Sequence, residues 1–130
     1  MSVRYNYNRQ LTPPAPCAYV SIAQPDDASL SVGNLPAQLD TGADITVVPA
    51  AVVEQLRLVQ LDQTSIAGFG GHVSVVPTYL VRLAIHTFPP IVVRVLADRD
   101  EPFVLLGRDV LNRHRVLFDG PNLVVEIDAP

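Results

Sequence analysis

The apolar residues of this chain come in short runs, and each run is soon broken. Ala18 to Ala23, Val73 to Ile85 and Ile91 to Leu96 are rich in Val, Ile and Leu, and each is followed within a few residues by Pro or Asp. Apolar, β-branched runs bounded by turn residues read as strands. Further candidates are Leu30 to Val32, Gln38 to Leu39, Ile45 to Val48, Gln63 to Ala67, Phe103 to Leu106, Val116 to Phe118 and Leu123 to Ile127. Their spacing is that of an all-β sandwich or barrel. Two segments have helical spacing instead. Pro49 to Leu56 has Pro at a first helical position and Val52, Val53 and Leu56 on one side, and Arg108 to His114 follows Gly107. Pro77 falls inside the Val73 to Ile85 run, soon after Gly70-Gly71, which suits a two-stranded ribbon projecting from the sheet.

A chain of 130 residues is one domain's worth, and it can bury a core without disulfides. Although 48% of its residues are hydrophobic, no stretch reaches the roughly 18–20 residues that span a bilayer, so no membrane partner is expected. Met1 to Gln10 lacks the apolar centre of a signal peptide, and Cys17 is the only cysteine. Both features point to a reducing, cytoplasmic setting. The formal charge is −4 and every basic residue is a dispersed Arg, which leaves no basic stripe for nucleic acid. His72, His86 and His114 stand far from one another and from Cys17, so no metal and no cofactor is expected. Residues 1–16 differ from the rest. Tyr5-Asn6-Tyr7-Asn8 followed by Thr12-Pro13-Pro14-Ala15-Pro16 reads as a Pro-rich N-terminal arm, disordered or laid across a partner, ahead of a domain at 17–130.

The chemistry centres on Leu39-Asp40-Thr41-Gly42-Ala43-Asp44. Gly42 lets the backbone turn tightly and brings main-chain N–H groups toward the Asp40 carboxylate, and Thr41 adds a hydroxyl. Alone, Asp-Thr-Gly is also ordinary turn chemistry. A second element, Phe103-Val104-Leu105-Leu106-Gly107-Arg108-Asp109-Val110-Leu111, is an apolar strand, a Gly and a helix start. With both elements in this order, and Gly68-Phe69-Gly70-Gly71 between them, the chain resembles the retropepsin family over roughly residues 17 to 128. These are the single-domain aspartic peptidases of retroviruses and their cellular and bacterial relatives.

The resemblance implies an acid-protease fold, a closed β-barrel or sandwich with a flap hairpin and one or two short helices. It implies an aspartic endopeptidase with Asp40, Thr41 and Gly42 as catalytic residues. One carboxylate cannot serve as both base and acid, so the second aspartate is Asp40 of another copy in a homodimer. Ala43, Asp44, Val47, Phe69, Gly70, Gly71, Phe103 and Leu105 would bind a peptide or protein substrate. Gly107 and Arg108 would support the site, with Arg108 paired to Asp44. Strand alternation places Phe103 and Leu105 on one face and Val104 and Leu106 on the other; the resemblance puts the first pair in the cleft and the second in the core. Ala43 stands where pepsin-like enzymes usually carry Ser or Thr, and the missing hydroxyl leaves the carboxylate pair less acidic. In retropepsins both chain ends commonly build the dimer interface as interleaved strands. Leu123 to Ile127 suits the C-terminal part, whereas the Pro-rich arm is poorly suited to the N-terminal one. His114, ending the last helix, is placed to interact with its terminal carbonyls when protonated. Two alternatives stand beside this reading: a binding or dimerisation module of the same fold without proteolysis, and a structural β-domain in which Asp-Thr-Gly is accidental.

Overall fold

The structure is a computed structural model that describes residues 1–68 and 70–130. Ten strands and two short helices follow in the order β1 (Ser2–Asn6), β2 (Cys17–Ala23), β3 (Ser31–Leu39), β4 (Val47–Pro49), α1 (Ala50–Gln55), β5 (Asp62–Ala67), β6 (Val73–Ile85), β7 (Ile91–Asp98), β8 (Val104–Leu106), α2 (Arg108–Leu111), β9 (Val116–Asp119) and β10 (Val124–Asp128). Seven strands form one sheet in the order β2-β3-β8-β4-β7-β6-β5, and a β2–β6 pairing closes the first six into a barrel. The other sheet, β1-β10-β9, is antiparallel throughout. The fold is thus mainly β, as the spacing of the runs implies, and the barrel is closed, as the family resemblance implies.

Alternation builds the barrel's core. In β2, Ala18, Val20 and Ile22 point inward and are essentially buried while Tyr19 faces out; in β6, Val81, Leu83 and Ile85 do the same. Helix α1 adds Val52 and Val53, and α2 adds Val110 and Leu111. Val125 and Ile127 of β10 join the same cluster, which fixes the small sheet to the barrel. Each fully buried Val or Ile contributes roughly 1.5–3 kcal/mol relative to exposure.

Several boundaries differ from the sequence reading. Residues 2–6 of the expected arm form β1, which pairs with β10 of the same chain from Ser2↔Asp128 to Asn6↔Val124. Val3, Tyr5 and Tyr7 pack against the core while Arg4 and Asn6 are exposed, so this segment behaves as an ordinary half-buried strand. Leu30 to Val32 and Gln38 to Leu39 belong to one continuous strand, β3, which contains Pro36. Pro36 sits opposite Tyr19 of β2, and pairing with β8 starts only at Ala37. Pro77 is placed likewise: it faces Gln63 of β5, and pairing with β7 begins at Thr78. Each proline lies where its strand has one neighbour, so the missing N–H leaves no ladder position empty. Residues 73–77 therefore pair only with β5, a hairpin projecting from the barrel. The strand expected from Ile45 begins at Val47, and the helix expected to reach His114 ends at Leu111. His114 Nδ1 lies 2.8 Å from the Asp128 carbonyl oxygen, and its ring stacks on Phe88. It therefore ties α2 to β10 instead of serving its own helix's carbonyls.

Candidate functional site

Strand β8 is wedged between β3 and β4, parallel to the first and antiparallel to the second. This insertion positions Asp40. As β3 ends, Leu39 N–H donates to the Pro16 carbonyl at 3.1 Å and Asp40 N–H donates to the Leu106 carbonyl at 2.9 Å. The chain then turns, with Ala43 N–H donating to the Asp40 carbonyl at 3.1 Å and Gly42 N–H to Asp40 Oδ1 at 3.0 Å. A Cβ at Gly42 would lie 3.2 Å from that same oxygen, so glycine leaves room for the carboxylate to meet the N–H. The Asp40 side chain is half-buried, with the exposed Thr41 and Gly42 beside it.

The loop is closed from the far side by the start of α2. Arg108 N–H donates to the Ala43 carbonyl at 2.8 Å. Gly107 is required by close approach: a Cβ there would stand 2.9 Å from the Ile45 carbonyl carbon and 3.0 Å from the Ala43 oxygen. Thr46, wholly buried, donates from its main-chain N–H to Asp109 Oδ2 at 3.0 Å and from Oγ1 to Asp109 Oδ1 at 2.7 Å. The same hydroxyl oxygen accepts from Gly107 N–H at 3.1 Å. Thr46 and Asp109 thus lock the two sequence elements together. Sequence reasoning missed both, placing Thr46 in a strand and passing over Asp109. The available signal was a carboxylate directly after Gly-Arg at a helix start that offers no capping side chain.

Arg108 is not partnered as expected. Its Nη1 donates to the Thr41 carbonyl at 2.7 Å, and among the described residues no Asp44–Arg108 ion pair forms. Arg108 starts α2 with its side chain exposed, and the acceptor within its reach is the turn's main chain. It still braces the Asp40 turn, through the backbone. Asp44 is exposed.

Val47 lies opposite Leu105 across the β4–β8 pairing, and both are half-buried, as is Phe103. Val104 and Leu106, on the other face of β8, are buried in the core. Ala43 is half-buried. Gly70 and Gly71 occupy the exposed turn of the β5–β6 hairpin with φ of +84° and +79°, a left-handed backbone that glycine adopts without strain. Gly68 N–H closes this turn on the His72 carbonyl at 2.8 Å. Phe69 lies outside the described residues. Glu101, in the loop between β7 and β8, has its carboxyl pushed above the ordinary glutamate value by burial, then by the nearby charges of Asp98 and Asp40. It thereby brings a further carboxylate into the electrostatic neighbourhood of Asp40, one that no motif signals.

Cys17 offers no alternative chemistry. Its thiol donates to the Asn6 carbonyl at 3.4 Å, and burial pushes its pKa up, away from the thiolate form that attacks substrates. Among the described residues no group of three or more His, Cys, Asp or Glu is arranged to hold a metal ion. No helix among them is long and apolar enough to cross a membrane.

Comparisons with known proteins bear on the family and the fold. Residues 28–113 match the family described as "gag-polyprotein putative aspartyl protease". Among solved structures, the chain is similar to the EIAV protease in complex with the inhibitor HBY-793, at 28% identity and a TM-score of 0.57, covering 83% of this chain and 92% of that one. It is also similar in fold to a retropepsin-like aspartic protease from Rickettsia conorii, at 11% identity and a TM-score of 0.67, covering 99% of this chain and 91% of that one.

Proposed function

Since the chain belongs to the gag-polyprotein aspartyl protease family, we propose that it is an aspartic endopeptidase active as a homodimer, each copy supplying one Asp40. The observation that carries this reading is the Asp40 carboxylate itself, held by Gly42 N–H at the half-exposed end of a turn that Gly107, Arg108 and Asp109 fix from behind. A carboxylate so held is oriented before any substrate arrives, which lowers the reorganisation needed during reaction.

Two such carboxylates about 3 Å apart share one proton, because both cannot ionise at that distance. The ionised member takes a proton from a water held between them as that water's oxygen attacks the scissile carbonyl carbon. The protonated member hydrogen-bonds the carbonyl oxygen as it gains charge, and the proton passes to the leaving amine as the C–N bond breaks. The pair titrates as a unit. Ala43, Asp44, Val47, Phe103 and Leu105 would line the peptide groove, and the β5–β6 hairpin with Gly70 and Gly71 at its turn would act as the flap that excludes water.

The test is cleavage of a mixed peptide library, with and without a pepstatin-type inhibitor, alongside Asp40→Asn. Inhibitor-sensitive cleavage by the wild type and none by Asp40→Asn is expected. Cleavage that survives Asp40→Asn sinks the mechanism. A folded wild type that cleaves nothing at any pH would leave a binding or dimerisation module of the same fold.

A further inference from the structure

Residues 4–11 do more than pair with β10. They form one wall of a groove of about 950 Å³ that is floored by β2 and β3. The paired residues Tyr19↔Pro36 and Cys17↔Gln38 mark its course along that floor. Gln38 also pairs with Leu105 of β8, and Phe103 lines the same groove. The groove is therefore continuous with the cleft proposed to hold peptide. It is elongated as well: residues 4–8 span roughly 13 Å when extended, which suits a few residues of peptide better than a small anion.

The chain carries a formal charge of −4, yet among the described residues no Asp or Glu lines this groove. Its charged groups are Arg4 and Arg9, both exposed, and the side-chain amides of Asn6, Asn8, Gln10 and Gln38 stand with them. Asp40 and Glu101 lie two residues along the chain from Gln38 and Phe103 and line none of it. Arg4 sits opposite Glu126 of β10, which tempers its charge; Arg9 lies beyond β1 with no strand residue facing it. Guanidinium and amide N–H donors together suit a carboxylate, which only accepts hydrogen bonds. The main chain adds to this. The Met1 carbonyl and Tyr7 N–H turn toward the β10 side, at Ala129 and Leu123. By alternation Arg4 and Asn6 turn theirs the other way, and the Asn6 carbonyl accepts from Cys17 Sγ–H at 3.4 Å, so the open edge of β1 faces the groove floor. An extended segment lying there meets the free main-chain groups of Arg4.

We propose that this groove binds an acidic segment of the substrate that flanks the residues cleaved at Asp40, with Arg9 as its principal charge and Arg4 as its second. The inference rests on the peptidase reading for its occupant, because a groove continuous with the cleft receives the continuation of the chain held there. It names a substrate class: apolar peptide with Glu or Asp a few residues from the bond that is cut.

The test uses three peptides with the same apolar centre, flanked on both sides by Glu, Gln or Lys. The wild type should favour the Glu peptide over the Gln peptide by about tenfold in kcat/KM, and added salt should narrow the gap. Arg9→Gln, with folding verified by circular dichroism, should cut that preference to about threefold or less. Arg4→Gln with Arg9→Gln should erase it, and Arg9→Glu should shift it toward the Lys peptide. Arg94→Gln, at an exposed site on β7, should leave the preference as in the wild type. Equal cleavage of the Glu and Gln peptides by the wild type, or a preference that survives the double substitution, overturns the inference. Fluorescence anisotropy of the same peptides, labelled and mixed with the Asp40→Asn protein, separates the two readings. Tighter binding of the Glu peptide that depends on Arg9, with no cleavage by the wild type, would keep the groove and remove the peptidase. Cleavage without charge preference would keep the peptidase and remove the groove, and neither cleavage nor charge-dependent binding would remove both.

Discussion

Replacing Thr46 by Val keeps the shape of the side chain and deletes its hydroxyl. That hydroxyl makes two buried contacts, donating to Asp109 Oδ1 and accepting from Gly107 N–H. Losing the first removes a hydrogen bond to a charged group, worth about 1.5–3 kcal/mol; losing the second leaves a buried N–H without an acceptor, at about 1–3 kcal/mol. Asp109 keeps the N–H groups of Thr46 and Val110, so the losses do not add in full, and about 3 kcal/mol is expected. At about 2.1 cal/mol/K per residue, unfolding 130 residues carries an entropy of about 0.27 kcal/mol/K. The melting temperature should therefore fall by about 11 °C, followed by circular dichroism at fixed protein concentration because self-association would otherwise shift it. Thr46→Ser keeps both hydrogen bonds and loses one buried methyl, about 1 kcal/mol or about 4 °C. If Thr46→Val melts no lower than Thr46→Ser, the hydroxyl does not fasten the Asp40 loop and the reasoning fails.

Gly107→Ala forces a methyl against the Ile45 and Ala43 main chain and should destabilise by about 2–3 kcal/mol. Gly33→Ala, whose Cβ meets nothing, serves as its neutral control in denaturant titration. Glu101 has a folded pKa above its unfolded one, so its contribution is intact below the ordinary glutamate value and is lost as pH rises through the folded value. Glu101→Gln should accordingly match wild type in melting at about pH 3 and exceed it at about pH 7; equal melting at both would refute this. Ala43→Ser adds a hydroxyl beside the Asp40 turn and should move the acid limb of kcat/KM to lower pH. A limb that stays in place would mean that residue 43 does not tune the pair.

Much of the barrel was legible because its strands are half-buried and their alternation survives in single-sequence form, as in Ala18, Val20 and Ile22. The Asp-Thr-Gly turn was legible for a local reason: Gly42 and Asp40 are two residues apart, and their hydrogen bond is decided within the turn. What failed was non-local. Leu30 to Val32 and Gln38 to Leu39 were read as separate strands, because no short window shows that the intervening Pro36 lies where β3 has one neighbour and that β8 begins only beside the next residue. Arg108 was assigned a charged partner, but its nearest acceptor became a carbonyl once α2 had been placed against the turn. β1 was obscured by its Pro-rich neighbours, although Val3, Tyr5 and Tyr7 alternating with Arg4, Asn6 and Asn8 carried the strand signal.

The wedged strand β8 also governs when the site can exist. Thr46 and Asp109 are 63 residues apart in sequence, and every group that closes the Asp40 loop from behind lies at or beyond Leu106. A nascent chain therefore exposes Asp40 long before the residues that brace its turn from behind have been made. Contacts this distant are formed late, because the intervening loop must first lose its freedom. A fragment ending ahead of β8 keeps the turn's own hydrogen bonds from Gly42 and Ala43 but none of the groups that brace that turn from behind. The turn that carries the carboxylate is braced only once β8 and α2 have been made, so synthesis itself acts as a delay between making the acid and arming it.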